Sequence, residues 1–452
     1  MSYALPMIVA HRPLGISSRA GPNCKESPPP APKLGRLPPP SVQRGVQGLS
    51  LNPVQPNRAG RTQPLVAAKD LFDAGSYADW GRAAVRVREA GLDISMLWDS
   101  TIAEPTEALA EVVREAFAGA VSSRYVSVFA DGNRYAIEAL ARRYGLRPEQ
   151  ILTTTGATGA LALALKALVR PGEHVLVESP GFDVLSRVAR DAGAEVETFV
   201  RPAPDFRLDL AELQARLKPA TRAVLVTNLH NPSGVRLTPD DIKAAARLLA
   251  KAGVVLIVDE VYADFAQAAG APPAGSLAPN IITVSSLTKV FGLFALKFGW
   301  LAADSQLVAR VREAAPDGDM GVSKLSHAVA AHVLENPAPF EAHWQGLLAA
   351  GRPTVERHVK LLVAENLLEG ELPEYGCMYF PRVVGVDDTR ALAETLLSDF
   401  DVLVAPGEYF GAPGHIRIGF GADAAAIDEG LTRLRTGLSA LRREASPPKP
   451  RA

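Results

Sequence analysis

Residues 285–292 read Ser-Ser-Leu-Thr-Lys-Val-Phe-Gly and directly follow a short β-branched run at 280–284. The run is typical of a buried strand, and the loop after it carries hydroxyls, a glycine and one lysine, Lys289. Ligands of open α/β sheets collect beyond the carboxyl ends of strands. Lys289 is therefore a candidate nucleophilic amine, although a lone lysine in such a loop is more often a solvated side chain.

Three more apolar runs lie upstream, and each ends in a polar feature. The run at 256–262 delivers Asp259, the run at 223–228 precedes Asn231, and the run at 151–155 enters a glycine turn before an Ala/Leu-rich stretch. A carboxylate can face a cationic ring nitrogen, an amide can donate to a ring oxygen, and a helix N-terminus binds phosphate. Singly, these features are also a capping Asp, a hairpin-like turn and a glycine turn before a helix. Together with the lysine they match what is needed to hold pyridoxal phosphate.

With these motifs the sequence resembles the class I and II aminotransferases, the aspartate aminotransferase superfamily of fold type I enzymes, over roughly residues 75–440. The resemblance implies an α/β protein: a three-layer α/β/α large domain with a mostly parallel sheet, plus a smaller α+β domain. The alternation of apolar runs with helical stretches agrees with this architecture. The expected divisions are a disordered Pro-rich extension at 1–75, the large domain at 116–315, the small domain at 76–115 and 316–440, and a disordered tail at 441–452.

The resemblance also assigns roles to the residues of the motifs. Lys289 would form the Schiff base with the cofactor and then act as the general base. Asp259 would pair with the pyridine nitrogen and keep the ring an electron sink. Asn231 and Tyr262 would hydrogen-bond the ring's phenolic oxygen, and Phe182 would stack on the ring.

Phosphate and substrate contacts follow in the same way, and no metal is implied. Arg417 would grip the substrate α-carboxylate, with Asn231 beside it. By spacing alone, an arginine at this position is more often on an edge strand with its head in water, and only the resemblance reverses that order. Tyr125 would reach the cofactor phosphate of the neighbouring subunit in a homodimer whose active site lies at the interface, or be a plain interface or core tyrosine. The remaining phosphate-binding positions are Ala157, Thr158, Ser286 and Lys297.

The chain departs from the family pattern at three places. Lys297 stands where relatives usually have arginine, and an ammonium cannot make the bidentate contact of a guanidinium, which predicts weaker cofactor binding. Ala295 replaces a common glycine and adds a methyl near a tight bend. The segment 98–105 lacks the glycine-rich turn that lets backbone approach substrate in relatives.

Composition limits the possible partners and location. The chain has 452 residues and a net charge of −1, which gives no electrostatic reason to expect a nucleic acid partner. No apolar run reaches the ~18 residues of a membrane span. The two cysteines, Cys24 and Cys377, fit a reducing compartment, and we expect a cytoplasmic protein.

The leading hypothesis is an aminotransferase that moves an amino group from an amino acid to a 2-oxo acid in ping-pong order. A β-eliminating lyase, a decarboxylase or an amino-acid synthase on the same fold is the alternative, because the bond that breaks depends on its angle to the cofactor ring. A cofactor-binding regulatory module fused to a DNA-binding region is a third hypothesis. It needs a helix-turn-helix before the domain, and residues 1–75 show no helical periodicity able to supply one.

Overall fold

The computed structural model describes residues 71–119, 121–126, 132–315 and 322–445. The helices with described bounds are α1 Tyr77–Glu89, α2 Thr106–Phe117, α3 Arg134–Tyr144, α4 Gly156–Leu168, α5 Asp183–Asp191, α6 Leu210–Arg216, α7 Pro239–Ala250, α8 Ser305–Glu313, α9 Lys324–Glu335, α10 Ala338–Ala364, α11 Thr389–Phe400 and α12 Ala424–Ala445. The strands are β1 Ser95–Met96, β2 Ile151–Thr155, β3 His174–Ser179, β4 Glu195–Val200, β5 Thr221–Thr227, β6 Val255–Asp259, β7 Ile281–Ser286, β8 Phe298–Ala303, β9 Leu368–Glu369, β10 Met378–Tyr379, β11 Arg382–Val383, β12 Val402–Leu403, β13 Ala405–Pro406 and β14 Ile416–Gly419.

A seven-stranded sheet in the order β2-β8-β7-β6-β5-β3-β4 forms the centre of the fold. Strands β3 to β7 pair in parallel, and β8 runs antiparallel to both of its neighbours. The inner strands are apolar along most of their length because helices cover both faces: α4, α5 and α8 on one side, α6 and α7 on the other. The predicted α/β architecture with a mostly parallel sheet is confirmed.

The carboxyl ends of β2, β5, β6 and β7 lie at one edge of this sheet, where β8 begins. Strands β5, β6 and β7 end there together, with Thr227 opposite Asp259 in register, and β2 ends opposite the start of β8. Gly299 in β8 lies against the start of α4, and a Cβ added to it would collide with the backbone of Gly156 and Ala157. Glycine at 299 therefore lets the first turn of α4 sit directly at this edge.

Three small sheets form the rest of the β structure: β1 with β12, β9 with β11, and β10-β14-β13. They pack with α10, α11 and α12 around an apolar core. The stretch 378–383 forms two strands, β10 and β11, because Pro381 lies between them and has no N–H to donate to a ladder. Strand β14, which carries Arg417, is the centre of its sheet.

The ordered structure extends further at both ends than the sequence suggested. Leu71 and Phe72 lie inside the predicted extension, yet both are buried in the core. Helix α12 runs to Ala445, past the predicted start of the tail at 441, because Leu438 and Leu441 pack against the same core. The rest of both predicted segments, 1–70 and 446–452, lies outside the described residues. Among the described helices, none combines the length and apolarity needed to cross a membrane.

Candidate active site

The lysine loop leaves β7 at the sheet edge where the strand ends collect. Lys289 is three residues beyond β7, and its Nζ donates a hydrogen bond to Thr101 Oγ1 at 3.0 Å. The same Nζ is 6.0 Å from the centre of the Tyr262 ring. The carbonyl of Lys289 accepts from the N–H of Ile102 at 3.1 Å, so the segment 98–105 lies directly against the lysine.

Asp259 ends the adjacent strand, β6, and only 8% of its surface is exposed. Its Oδ1 accepts from the N–H of Val261 at 3.1 Å. Burial, reinforced by the charge of Glu178 and opposed by Lys289, raises the pKa of Asp259 to about 7. Among the described residues no cationic side chain lies within ion-pair distance of this carboxylate. A buried acid without a cationic partner fits a protonated ring nitrogen.

Asn231 and Tyr262 keep donors that a ring oxygen could use. Asn231 Oδ1 accepts from Arg417 Nη1 at 2.7 Å, and among the described residues its amide N–H₂ group makes no hydrogen bond. The hydroxyls of Tyr262 and Ser100 lie 2.7 Å apart. Burial raises the pKa of Tyr262, so the phenol stays protonated and can donate.

The start of α4 and the lysines near it fit a phosphate. The first turn of α4 has no side-chain cap, and Thr158 in that turn is exposed. A Cβ added at Gly156 would be 4.0 Å from the carbonyl oxygen of Lys297, which places Lys297 beside the turn. Burial, with the charge of Lys289, lowers the pKa of Lys297. Free N–H groups at a helix start can bind an anion, and in the described structure the Nζ of Lys297 lies 3.7 Å from the centre of the Phe294 ring.

The remaining predicted phosphate contacts also lie near this turn. Ala157 follows Gly156 in the helix, and Ser286 is the buried last residue of β7, with its Oγ accepting from the N–H of Thr288 at 3.3 Å.

Ala295, which replaces a common glycine, causes no crowding because it is exposed in a 3₁₀ turn. The backbone positions of this loop with positive φ are Gly292 and Lys297.

Arg417 is fully buried, so the interpretation of an edge-strand arginine with its head in water is wrong. The physical reason is its position on the central strand of a three-stranded sheet, beneath Tyr77 and Phe410. Phe182 is partly exposed immediately before α5, and its ring makes an edge contact with Tyr77 at 5.8 Å. Tyr77 therefore connects the predicted stacking ring to the predicted carboxylate-binding arginine.

Tyr125 is the predicted site residue that the structure leaves apart from the others. It is 45% exposed on the segment 121–126, and its described hydrogen bond is local, from its N–H to the carbonyl of Ser122. Within one chain it contacts none of the other predicted site residues in the described structure.

Sequence reasoning missed the hydroxyls of Ser100 and Thr101, which contact Tyr262 and Lys289. The segment 98–105 lacks glycines, but the chain that faces it has them. A Cβ at Gly419 or Gly421 would collide with the carbonyls of Asp99 or Thr101, and one at Gly292 would be 2.8 Å from the carbonyl of Ile102. The glycines of the facing chain thus let segment 98–105 pack backbone against backbone. Gly292 follows Lys289 in its loop, and Gly419 and Gly421 follow Arg417; glycines beside both candidate residues are the signal that could have revealed this packing.

A buried ion pair supports the site from behind. Arg201 Nη1 and Glu178 Oε2 are 2.7 Å apart, and both side chains are inaccessible to solvent. Glu178 Oε1 accepts from both the N–H and the hydroxyl of Thr227, at 2.7 and 2.5 Å. The Thr227 hydroxyl in turn accepts from the N–H of Asn231 at 2.9 Å. The pair thereby fixes the backbone that presents Asn231.

A comparison with protein families identifies the chain. The profile described as aminotransferase class I and II matches residues 98–434. The chain belongs to this family. This match, together with relatives that are named transaminases, confirms the predicted family, the pyridoxal phosphate dependence and the transaminase activity.

Members of the family with different reactions are similar to this chain. Capreomycidine synthase of Streptomyces vinaceus is 30% identical over 388 residues, covering 82% of this chain and 96% of the relative. Arginine–pyruvate transaminase of Pseudomonas aeruginosa is 28% identical over 369 residues, covering 78% and 92%. A double mutant of Thermus thermophilus aspartate aminotransferase superposes with a TM-score of 0.70 at 23% identity, covering 87% of this chain and all of that one, which supports the fold.

Proposed function

We propose that the aminotransferase reaction is carried by Lys289, Asp259 and Tyr262, with Arg417 and Asn231 binding the substrate carboxylate. The observation that carries the proposal is the buried, unpaired carboxylate of Asp259 at the sheet edge that also presents Lys289. A buried ionisable group with a raised pKa, next to a candidate nucleophile, is typical of a catalytic centre.

The donors and acceptors suit each part of pyridoxal phosphate. Asp259 would accept from the ring nitrogen, and Asn231 and Tyr262 would donate to the ring oxygen. Phe182 would cover the ring face. The phosphate would be held by the first turn of α4 with Ala157 and Thr158, by Ser286 and by Lys297. When bound, the cofactor supplies an electron sink for negative charge at the substrate α-carbon.

The residues of the chain supply binding and proton transfer. The Arg417 guanidinium would orient the amino acid by its carboxylate. The Lys289 amine would hold the cofactor aldehyde before substrate enters, then take the proton from the α-carbon and return it. Thr101 Oγ1, which accepts from Nζ at 3.0 Å, would hold the free amine in place. An amino acid would react first and a 2-oxo acid second, in ping-pong order.

An absorbance scan from 300 to 500 nm tests the proposal. Purified protein loaded with cofactor is mixed with all amino acids and no oxo acid. Conversion of the imine band to the amine form, reversed by a 2-oxo acid, supports transamination. A band that persists, or one that changes with release of ammonia, pyruvate or CO₂, contradicts it.

An amino-acid synthase is the second candidate function. The similarity to capreomycidine synthase spans almost the whole of that protein, whose name denotes a synthesis rather than a transfer. The other relative gives the first donor and acceptor to test, arginine and pyruvate. If arginine is consumed without formation of a 2-oxo acid, and the product carries the nitrogen of the substrate, the synthase is favoured.

Replacing Lys297 with Arg should tighten cofactor binding without changing the reaction. A guanidinium can contact two phosphate oxygens where an ammonium contacts one, which predicts a Kd lower by roughly 3- to 10-fold. Dialysis against cofactor-free buffer, followed by absorbance, measures the loss of cofactor. A variant that loses cofactor faster than the wild type would show that Lys297 has another role.

We also propose that the protein is a homodimer with Tyr125 reaching the partner's cofactor. Exposed apolar side chains support an interface, with Leu325 at 54%, Phe294 at 50% and Tyr125 at 45% exposed. The helix that carries Leu325 contacts the turn that carries Phe294, and exposed apolar side chains that lie together mark interaction surfaces. Leu325→Glu should shift the mass measured by light scattering from dimer toward monomer. An unchanged mass would mean that this face is free, and Leu361→Glu, on α10, is the matched control.

A cytoplasmic location and the two-domain division at 116–315 and 76–115 with 316–440 are part of the same proposal. Cys377 is a buried free thiol, which suits a reducing compartment. The separate small sheets beside the central sheet support the division, and closure of the smaller domain over substrate would be the expected motion.

A further inference from the structure

The guanidinium of Arg417 is shut off from solvent, with none of its surface exposed. Its Nη1 donates to Asn231 Oδ1 at 2.7 Å, and its Nη2 donates to the carbonyl of Trp98 at 2.9 Å and to the hydroxyl of Tyr77. The rings of Tyr77 and Phe410 each lie 4.8 Å from the guanidinium carbon. Arg417 is therefore enclosed by four residues.

This buried cation has no counter-ion in the described structure. None of the described carboxylates forms an ion pair with Arg417, and its Nε–H is buried without a hydrogen-bond partner. Burying an unpaired charge is costly, so the site is preformed for an anion. If the anion is the substrate carboxylate, as proposed above, it must reach a group that water does not reach. One of the four enclosing residues has to move.

Tyr77 is the enclosing residue that can move at least cost. Asn231, Trp98 and Phe410 are buried, at 4%, 6% and 3% exposure, whereas Tyr77 is only partly buried. Tyr77 is the first residue of α1, at the end of an element rather than inside one. Its ring contacts Phe182 and Phe410 at 5.8 and 5.0 Å, so it covers the path between the predicted stacking ring and the arginine.

Tyr77 lies outside the segment that the family profile matches. The profile begins at residue 98, so α1 is upstream of it. The hydrogen bond to Arg417 spans 340 residues and ties α1 to β14. Helix α1 thus adds a tyrosine to a site that the matched segment builds.

We propose that Tyr77 is a positioning residue that covers Arg417 in the free enzyme and gives up its hydrogen bond from Nη2 to the incoming α-carboxylate. The inference rests on the proposed function of Arg417. The hydroxyl and the carboxylate compete for one donor. The tyrosine therefore shields the empty site from solvent and weakens the binding of a carboxylate, which must displace its hydroxyl.

Phenylglyoxal labels accessible arginines, so the rate at which it labels Arg417 tests whether Tyr77 covers this side chain. The rate is measured by peptide mass spectrometry on the cofactor-loaded enzyme. Tyr77→Ala should speed the labelling of Arg417 at least about tenfold, because labelling follows the population of the open site. An unchanged rate would overturn the role of Tyr77 as a cover.

A second experiment tests whether a carboxylate replaces the Tyr77 hydroxyl at Nη2. Butanoate, a carboxylate without an amino group, should protect Arg417 from labelling, and its Kd is measured from that protection. Tyr77→Phe keeps the ring and removes the competing hydroxyl, so the Kd of butanoate should fall about 3- to 10-fold, the worth of one hydrogen bond. A higher Kd would mean that the hydroxyl binds the carboxylate itself, and an equal Kd would mean that it does not compete; either result overturns the proposal. Tyr135→Phe, which removes a similar hydrogen bond of 2.8 Å from Arg134 on the surface, is the matched control and should change nothing.

The two proposals fail in different ways. A wild-type enzyme whose imine band no amino acid converts would contradict the proposed transamination, while the labelling experiment would still report on Tyr77. A wild type that transaminates, with butanoate giving Arg417 no protection, would overturn the inference and the role proposed for Arg417, while the proposed transamination would stand.

Discussion

Lys289→Ala should abolish turnover, with a loss of about 10⁴-fold or more in kcat. The substitution removes both the amine that would hold the cofactor and the base that would move the α-proton, and proton transfer by a positioned base alone contributes about 10²- to 10⁴-fold. The truncation should cost little stability, because Lys289 is only partly buried and its Nζ makes one hydrogen bond, to Thr101. Single-turnover kinetics with the best amino donor measure the loss.

The absorbance of the same variant separates loss of chemistry from loss of cofactor. A variant that keeps the cofactor through its phosphate contacts should show the band of the free aldehyde and not that of the imine. Lys251→Ala, an exposed lysine after α7, is the matched control and should retain wild-type rate and spectrum. Wild-type turnover by Lys289→Ala would mean that another amine carries the reaction, and the site proposed here would be wrong.

The positions of Lys289 and Asp259 could be predicted because they depend on local patterns. A β-branched apolar run predicts a buried strand, and parallel strands place the residues that follow them at one edge. The bounds of β2 agree with its predicted run residue for residue, and β6 and β7 agree within a few positions. For a motif at the end of such a run, the sequence therefore predicts both where the motif lies in the fold and which chemical groups it presents there.

The contacts that complete the site could not be predicted in this way. Ser100 meets Tyr262 across 162 residues, Thr101 meets Lys289 across 188, and Tyr77 meets Arg417 across 340. These partners are ordinary hydroxyls in segments without a distinctive pattern, and tertiary packing alone brings them to the site. The burial of Arg417 has the same origin, since its strand is central only because β10 and β13 pair on either side of it.

Asp259→Asn should reduce kcat/KM by about two to four orders of magnitude. Removing one partner of a buried charge pair costs about 3–5 kcal/mol, and here the lost partner is the carboxylate that would face the ring nitrogen. The amide oxygen can still accept from the N–H of Val261, so the local backbone should not change. Asp240→Asn, at a carboxylate in the first turn of α7 that is 95% exposed, is the control and should leave kcat/KM unchanged.

Without cofactor, Asp259→Asn should be more stable than the wild type at the pH values where the wild-type carboxylate is charged. Burial raises the pKa of Asp259 from 3.8 to about 7, so between those values the folded protein binds more protons than the unfolded chain. Stability contributed by this group is therefore present below about pH 4 and is lost as pH rises through 7. Asparagine has no proton to lose, so the free energy of unfolding of Asp259→Asn should exceed that of the wild type by about 2–4 kcal/mol at pH 8 and by less than half as much at pH 5. Urea unfolding of both proteins without cofactor measures the difference; an equal gain at both pH values would show that Asp259 is not the group that titrates. A gain confined to high pH, together with lost activity, would mean that the site holds a destabilising charge whose stabilising partner is the cofactor ring.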